Sequence, residues 1–427
     1  MRQSVNDISL GQRLYERLEA FARHSEDGPD TLTRVFLSPE HRAAAEELLG
    51  WMRDAGMTAQ IDAIGNVVGR YEGLTPDAPC LMMGSHIDTV RDAGKYDGNM
   101  GVLAALGCIE ELNRNGERFP YAIELVAFGD EEGVRFPVTL SGSRAVAGTF
   151  DQTTLSLRDK EGTTLRQALT AFGCNPDRVA EVARRREQVL AFVELHIEQG
   201  PVLEDAGLPV GAVTAINGAS RLSVEVRGTA NHAGTVPMHL RRDALAAAAE
   251  MMLAVEARGG AEPDLVATVG RVDVLPGAVN VIPGLVRFTM DVRSPSDAAR
   301  RRAVADIDRR IGEIAEARGV DISITQTHEA AACRCDPALI EAIGKSIARA
   351  GVEVRQLPSG AGHDAMAFSR LCPVGMIFVR CEKGISHNPA EAITVADADV
   401  SMRVLLDFIR HFDAGRLTRP NEERPAA

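Results

Sequence analysis

Three short apolar runs in the first half of the chain, residues 80–84, 123–128 and 191–195, each give way within two residues to a polar group, His86, Asp130 and His196. Runs of this length suit buried strands. The stretches around them carry helical spacing: Leu10, Leu14, Leu18 and Phe21 recur at helical intervals, and Ser38-Pro39 forms an N-cap and first position for a helix that Gly56 stops. Strands alternating with helices predict an α/β domain with a mostly parallel central sheet. Open sheets of that kind hold ligands at the carboxyl ends of their strands, where these polar residues fall.

From about residue 213 to 327 the texture changes. Leu222, Val224 and Val226 alternate with polar residues, as do segments at 265–274 and 286–292, and helical segments lie near 242–257 and 296–317. This order predicts a small α+β insertion. The chain then regains α/β character, with a helix from Asp336, a strand at 374–379 and a final helix from about Asp397. The expected organisation is a larger domain in two parts, residues 1–212 and 328–427, interrupted by a second domain at 213–327. A chain of 427 residues is too long for one core, which agrees with that division.

The net charge of -13 excludes nucleic acid and anionic membranes as expected partners and leaves a small molecule. No stretch approaches the roughly 20 apolar residues of a membrane span, and residues 1–28 lack the apolar core of a signal peptide, so a cytoplasmic location is expected. The seven cysteines, Cys80, Cys108, Cys174, Cys333, Cys335, Cys372 and Cys381, are odd in number and lack Cys-x-x-Cys pairs. They are expected to be reduced thiols, with Cys333-x-Cys335 in an ordinary loop.

Four segments carry candidate chemistry. Gly84-Ser85-His86-Ile87-Asp88-Thr89 is followed by Tyr96-Asp97-Gly98-Asn99. A His at a strand end suits a divalent ion, a carboxylate two residues on suits the orientation of its ring, and Asp97 has the chemistry to bridge two ions. A loop His beside a turn-forming Asp-Gly is an equal reading of this piece alone. Phe128-Gly129-Asp130-Glu131-Glu132-Gly133 sets three acids just past an apolar strand, either as a solvated turn or as a metal ligand beside a general base. In Glu194-Leu195-His196-Ile197-Glu198-Gln199-Gly200-Pro201 a His again closes an apolar run, and Gly384-Ile385-Ser386-His387-Asn388-Pro389 supplies another late in the chain. Either of these two His alone is better explained by a structural hydrogen bond than as a ligand. Together, three histidines and several carboxylates without clustered cysteine suit Zn, Mn or Co.

With these motifs the chain resembles the hydantoinase/carbamoylase branch of the M20-type dinuclear metallohydrolases, which includes allantoate amidohydrolases, N-carbamoyl-L-amino-acid hydrolases and β-ureidopropionases. The resemblance runs over roughly residues 10–412. It implies two divalent metal ions per subunit (Zn, Mn or Co), held by His86, Asp97 as the bridge, Glu132, His196 and His387. Glu131 is then the general base and Asp88 the acid that orients the first ligand. His196 and Gln199 mark the branch, because related peptidases typically have an acidic residue at the His196 position. Ala230-Asn231-His232-Ala233-Gly234-Thr235-Val236-Pro237-Met238 resembles the lid motif, with Val236 where many relatives have Thr. It implies that His232 polarises the scissile carbonyl, often from the partner subunit. Asn280 and Arg293 correspond to the residues that receive the substrate carboxylate, for which the planar arginine fork is suited; without the resemblance Arg293 reads as a surface strand residue. Ser359-Gly360-Ala361-Gly362-His363-Asp364 matches a loop that closes around substrate, through Gly360 and His363 among others.

The fold so implied is an α/β catalytic domain with a mostly parallel central sheet, interrupted by an inserted α+β lid/dimerisation domain through which a homodimer forms. The reaction implied is hydrolysis of the terminal ureido (carbamoyl) C–N bond of allantoate or an N-carbamoyl-L-amino acid, a small ureido-carboxylate, with release of ammonia and carbon dioxide. Two competing readings remain. A peptidase or aminoacylase shares the core chemistry, against which stand the His196 to Gln199 segment and the Asn280 and Arg293 pair. A non-catalytic binding protein is the other, against which stands the presence of every ligand and the base. The 378–380 and 384–387 stretches look more like the allantoate subgroup.

Overall fold

The structure, a computed structural model, describes residues 8–28 and 31–417. The chain divides into two compact units: Met1–Thr214 with Arg334–Leu357 and Gly362–Ala427, and Ala215–Cys333 with Pro358–Ala361. The chain first lays down β1 (Thr58–Ile61), β2 (Val67–Tyr71), β3 (Cys80–His86), β4 (Ala122–Phe128), β5 (Val189–Ile197) and β6 (Val210–Ile216). The second unit adds β7 (Gly218–Arg227), β8 (Asn231–His232), β9 (Val266–Leu275), β10 (Val281–Ile282), β11 (Leu285–Ser294) and β12 (Asp321–Ala330). The chain then runs through β13 (Cys333–Arg334), β14 (Gln356–Ser359) and β15 (Val374–Val379).

The large sheet has the order β1-β2-β4-β3-β5-β15-β6-β13, with β14 beside β6. Its centre, β4, β3, β5 and β15, is parallel, while β1 and β2 on one side and β6 on the other pair antiparallel. β3, β4 and β15 are buried along their whole length, which explains their mostly apolar sequence. Their register sets His86 opposite Phe128 and His196 opposite Phe378, so the polar residues that close these strands lie along one edge. The helix Leu10–Phe21 buries Leu14, Leu18 and Phe21. The helix Pro39–Asp54 starts as its sequence requires: Ser38 Oγ accepts from the His41 N–H at 3.1 Å, with Pro39 at the first position.

Two features depart from the sequence expectations. The outer strands β1, β2, β6 and β14, which flank the parallel centre, go unmarked in the sequence, because each takes its extended form from pairing with a neighbour. Cys333 stands in β13 and not in a loop, whereas Cys335 lies in the short connection after it, where its N–H donates to the Thr214 carbonyl at 3.0 Å; both residues are buried. All seven cysteines are free thiols.

In the second unit an antiparallel sheet runs β12-β7-β11-β9. Helices Ala244–Gly259 and Asp297–Arg318 cover one face, where Val224, Val226, Phe288 and Val292 pack with Met251, Ile307 and Ile311. A separate two-stranded pair, β8 with β10, holds His232 opposite Val281. No helix among the described residues is long and apolar enough to cross a membrane.

Candidate metal centre and active site

His86 ends β3, and His196 lies one residue before the end of the adjacent β5. Each ring is pinned through Nδ1, His86 to the Asp88 carbonyl and His196 to the Ile197 carbonyl, both at 2.8 Å. Both Nε2 atoms then face one oxygen, Asp97 Oδ1, at 3.4 and 3.1 Å. The other Asp97 oxygen lies 3.2 Å from His387 Nε2, which is 3.6 Å from Glu132 Oε1. Two donor triplets, His86–Asp97–His196 and Asp97–Glu132–His387, therefore share Asp97, and Glu131 joins a third with His86 and Glu132. The approach of this turn to His86 requires Gly98: it has φ +66°, and a Cβ there would lie 2.5 Å from the His86 carbonyl oxygen and 2.6 Å from its ring.

The donor chemistry fits a divalent cation. A neutral imidazole that donates through Nδ1 turns a lone pair outward at Nε2. In His86 and His196 that lone pair meets a carboxylate oxygen, and the buried His196 Nε2 makes no hydrogen bond. Lone pairs converging on one oxygen call for positive charge between them, and nitrogen and oxygen donors with carbonyl-tied rings suit a metal ion. Electrostatics agree. Burial opposes ionisation of Asp97, yet positive charge at His196, His387 and His86 holds its carboxyl well below the usual carboxylate range, so this carboxylate calls for a cation beside it, on the rings or between them. Burial pushes the Glu131 carboxyl well above its ordinary value, with His86 opposing and Glu132, Asp364 and Asp88 adding. Glu132 is raised to about 7, by burial first and by Asp97 next. So many acids in one place hold their charge together only with added cations.

Asp88 acts differently from the expectation. Its main-chain carbonyl takes the His86 Nδ1–H, whereas its carboxylate, 3.9 Å from that nitrogen, accepts from the N–H groups of Glu131 (3.2 Å) and Glu132 (3.3 Å). It fixes the turn that carries both glutamates. Three supporting residues escaped the sequence reading. Glu391 Oε1 accepts from the Tyr96 and Asp97 N–H groups at 2.9 and 3.0 Å, and its Oε2 accepts from Ser386 Oγ at 2.7 Å. Glu194 accepts from Ser85 Oγ and the Ala365 N–H; a lone acid inside a buried strand was its available signal. Arg34, fully buried, donates through Nε to the Ile87 carbonyl at 2.7 Å and through a terminal nitrogen to Asn99 Oδ1.

The residues that the resemblance assigns to substrate fall in both units. In the first, Gln199 Nε2 donates to Asp97 Oδ2 (2.9 Å) and Ser386 Oγ (3.2 Å), while its buried Oε1 makes no hydrogen bond among the described residues. His363 is buried edge-on against the His196 ring, with centroids 4.4 Å apart, and is not on an open loop. In the second unit His232 is exposed, and its Nδ1 accepts from the Gly234 N–H at 3.0 Å, which leaves the ring proton on Nε2 in the neutral form. The Asn280 carbonyl accepts from the Ala233 N–H at 2.9 Å beside that loop. Arg293 donates through Nε and one terminal nitrogen to the two oxygens of Asp291, both at 2.9 Å, and through the other to the Gly360 carbonyl at 2.7 Å.

Comparison with known proteins adds an independent line. The model of "Peptidase family M20/M25/M40" matches residues 82–411. The chain is 41% identical over 395 residues to an N-carbamoyl-L-amino acid amidohydrolase of Geobacillus stearothermophilus, spanning 92% of this chain and 97% of that one. It is 42% identical over 417 residues to a probable allantoate deiminase of Oryza sativa subsp. japonica, spanning 90% and 85%. A crystal structure of an amidase of the hydantoinase/carbamoylase family from Burkholderia multivorans superposes with a TM-score of 0.89 at 34% identity, covering 93% of this chain and 97% of that one.

Proposed function

The chain belongs to peptidase family M20/M25/M40, and from that premise we propose that it is a metal-dependent amidohydrolase that cleaves the terminal ureido C–N bond of allantoate or an N-carbamoyl-L-amino acid. The observation that carries the reading is the Asp97 carboxylate faced by the Nε2 atoms of His86, His196 and His387. His86, His196 and Asp97 would hold one divalent ion, and Asp97, Glu132 and His387 a second, with Zn, Mn or Co as the candidates by donor type. When bound, such a pair supplies Lewis acidity, which lowers the pKa of water and polarises a carbonyl. Glu131 takes the proton of the attacking water and passes it to the leaving nitrogen. Asp88 keeps Glu131 and Glu132 in place through their N–H groups. His232, with its Nε2–H as donor, stabilises the tetrahedral oxyanion, while Asn280 and Arg293 receive the substrate carboxylate. Gly360 and His363 are further substrate-binding residues by the resemblance, and the Gln199 amide nitrogen holds Asp97. The carbamate product decomposes to ammonia and carbon dioxide. The inserted unit serves as lid and dimerisation domain of a cytoplasmic homodimer.

The deciding assay measures ammonia release from allantoate, N-carbamoyl-L-amino acids and N-carbamoyl-β-alanine beside amine release from dipeptides and N-acyl amino acids. Ureido hydrolysis that chelation abolishes and Mn, Co or Zn restores is expected. Turnover of dipeptides alone, or full activity in rigorously metal-free protein, would overturn the reading.

A further inference from the structure

On the face of the second unit's sheet away from its helices lies a cleft of about 610 Å³, lined among others by Arg221, Thr268, Thr289, Asp291, Arg293 and Gly360. Strand register sets Arg221, Asp291 and Thr268 in one row across β7, β11 and β9, with Arg293 two residues further along β11. Asp291 is the hub of the row. Its Oδ2 accepts from Arg221 Nε at 3.1 Å and from a terminal nitrogen of Arg293 at 2.9 Å, so those two nitrogens lie no more than 6.0 Å apart. One acid between two arginines leaves the cleft with an unbalanced positive charge.

The two arginines are not equivalent. Arg293 has three of its five N–H bonds engaged, two on Asp291 and one on the Gly360 carbonyl. Arg221 is held through Nε alone, so both of its terminal nitrogens are unengaged among the described residues, and its side chain is 51% exposed. A cross-strand ion pair on an open face contributes little to stability. A guanidinium fork pre-aligned by a neighbouring acid is instead suited to a planar oxygen acceptor.

We infer that Arg221 forms a second acceptor subsite beside Arg293, which selects ureido-carboxylates carrying a further planar oxygen acceptor beyond the carboxylate held by Arg293. The inference rests on the reading above, in which Arg293 receives the substrate carboxylate. The added acceptor is a second carboxylate, as in N-carbamoyl-L-aspartate, or a second ureido carbonyl, as in allantoate.

The test compares wild type, Arg221→Ala, Arg221→Lys and Arg293→Ala on those two ligands and on N-carbamoylglycine, which lacks the added group. Each is scored by kcat/KM, or by the inhibition constant where a ligand binds without turnover. Arg221→Ala is expected to lower the ratio of the larger ligand to N-carbamoylglycine about tenfold or more, mainly through KM, as loss of a charged hydrogen bond does. The ligand whose ratio falls identifies the acceptor, and Arg221→Lys restores part of it for a carboxylate. Arg293→Ala should weaken all ligands together. An active enzyme whose ratios are unchanged in Arg221→Ala would overturn the subsite alone. A wild-type protein that neither binds nor hydrolyses any ureido compound would overturn the functional reading, and the subsite with it.

Discussion

Replacing Glu131 with Gln keeps the size of the side chain and removes its ability to accept a proton. In the proposed mechanism, Glu131→Gln should lose roughly 10²- to 10⁴-fold in kcat, the usual contribution of a positioned base, while binding of Mn measured by calorimetry stays within a few-fold. Near-normal turnover in metal-loaded variant would place the base elsewhere. Glu391 bears on a different property. Its carboxylate gathers three donors from the Tyr96–Asp97 turn and from Ser386, next to His387, so it ties together the two segments that carry Asp97 and His387, proposed ligands both. An amide at that position has one acceptor atom, so Glu391→Gln should weaken Mn binding by about tenfold or more, as losses behind a metal ligand do. Equal affinity in the variant would mean that Asp97 is held without it. The residues gathered around Asp97 were legible as candidates because each closes an apolar run or stands in a dense motif. Glu391 and Arg34 were not, because they act on main-chain groups and loop side chains, and no periodicity marks a residue for that role. The true partner of the Asp88 carboxylate was hidden for the same reason: backbone N–H groups are present everywhere in a sequence.

The helix Pro39–Asp54 shows how a single buried group couples an element to solution conditions. His41 is fully buried near its start, stacked on Phe172, and its Nδ1 accepts from the N–H of Leu37, a residue at φ +60°. Burial, assisted by the Arg34 charge, lowers its pKa to about 3 from an ordinary value near 6.5. Between those values the unfolded chain binds a proton that the folded chain refuses. The contribution is thus fully present above about pH 6.5 and is lost progressively as pH falls toward 3. Denaturant midpoints between pH 7 and 5 should therefore fall less steeply in His41→Asn than in wild type. Parallel slopes would show that His41 takes up its proton without leaving the core. At this scale, the long helices were legible because their spacing repeats over several turns, and the buried parallel strands because each is a mostly apolar run between polar or turn-forming residues. The outer strands β1, β2, β6 and β14 and the β8–β10 pair were not, because no distinct apolar run ending at a polar motif marks them and their conformation comes from their neighbours.

The assembly proposed for the whole molecule draws on the two edges of the second unit's sheet. β12 is a largely polar edge, whereas β9 leaves Val266, Val272 and Leu275 exposed at 51%, 42% and 46%. A ten-residue edge with exposed apolar side chains is suited to pairing with its own copy about a two-fold axis. Sedimentation should show a wild-type dimer that becomes a monomer when Val272 and Leu275 are both changed to Lys. A dimer that survives both changes would move the interface elsewhere. The large sheet has a different consequence, one of timing. β15, which lies between β5 and β6, is the last strand among the described residues to leave the ribosome, long after its neighbours. Until then the nascent chain presents two unsatisfied strand edges around an open slot, while the inserted unit, complete by residue 333 except for a short returning segment, has nearly all it needs to fold. A chain stopped before residue 374 should accordingly show a protease-resistant fragment covering the insert within an otherwise digestible, chaperone-binding product.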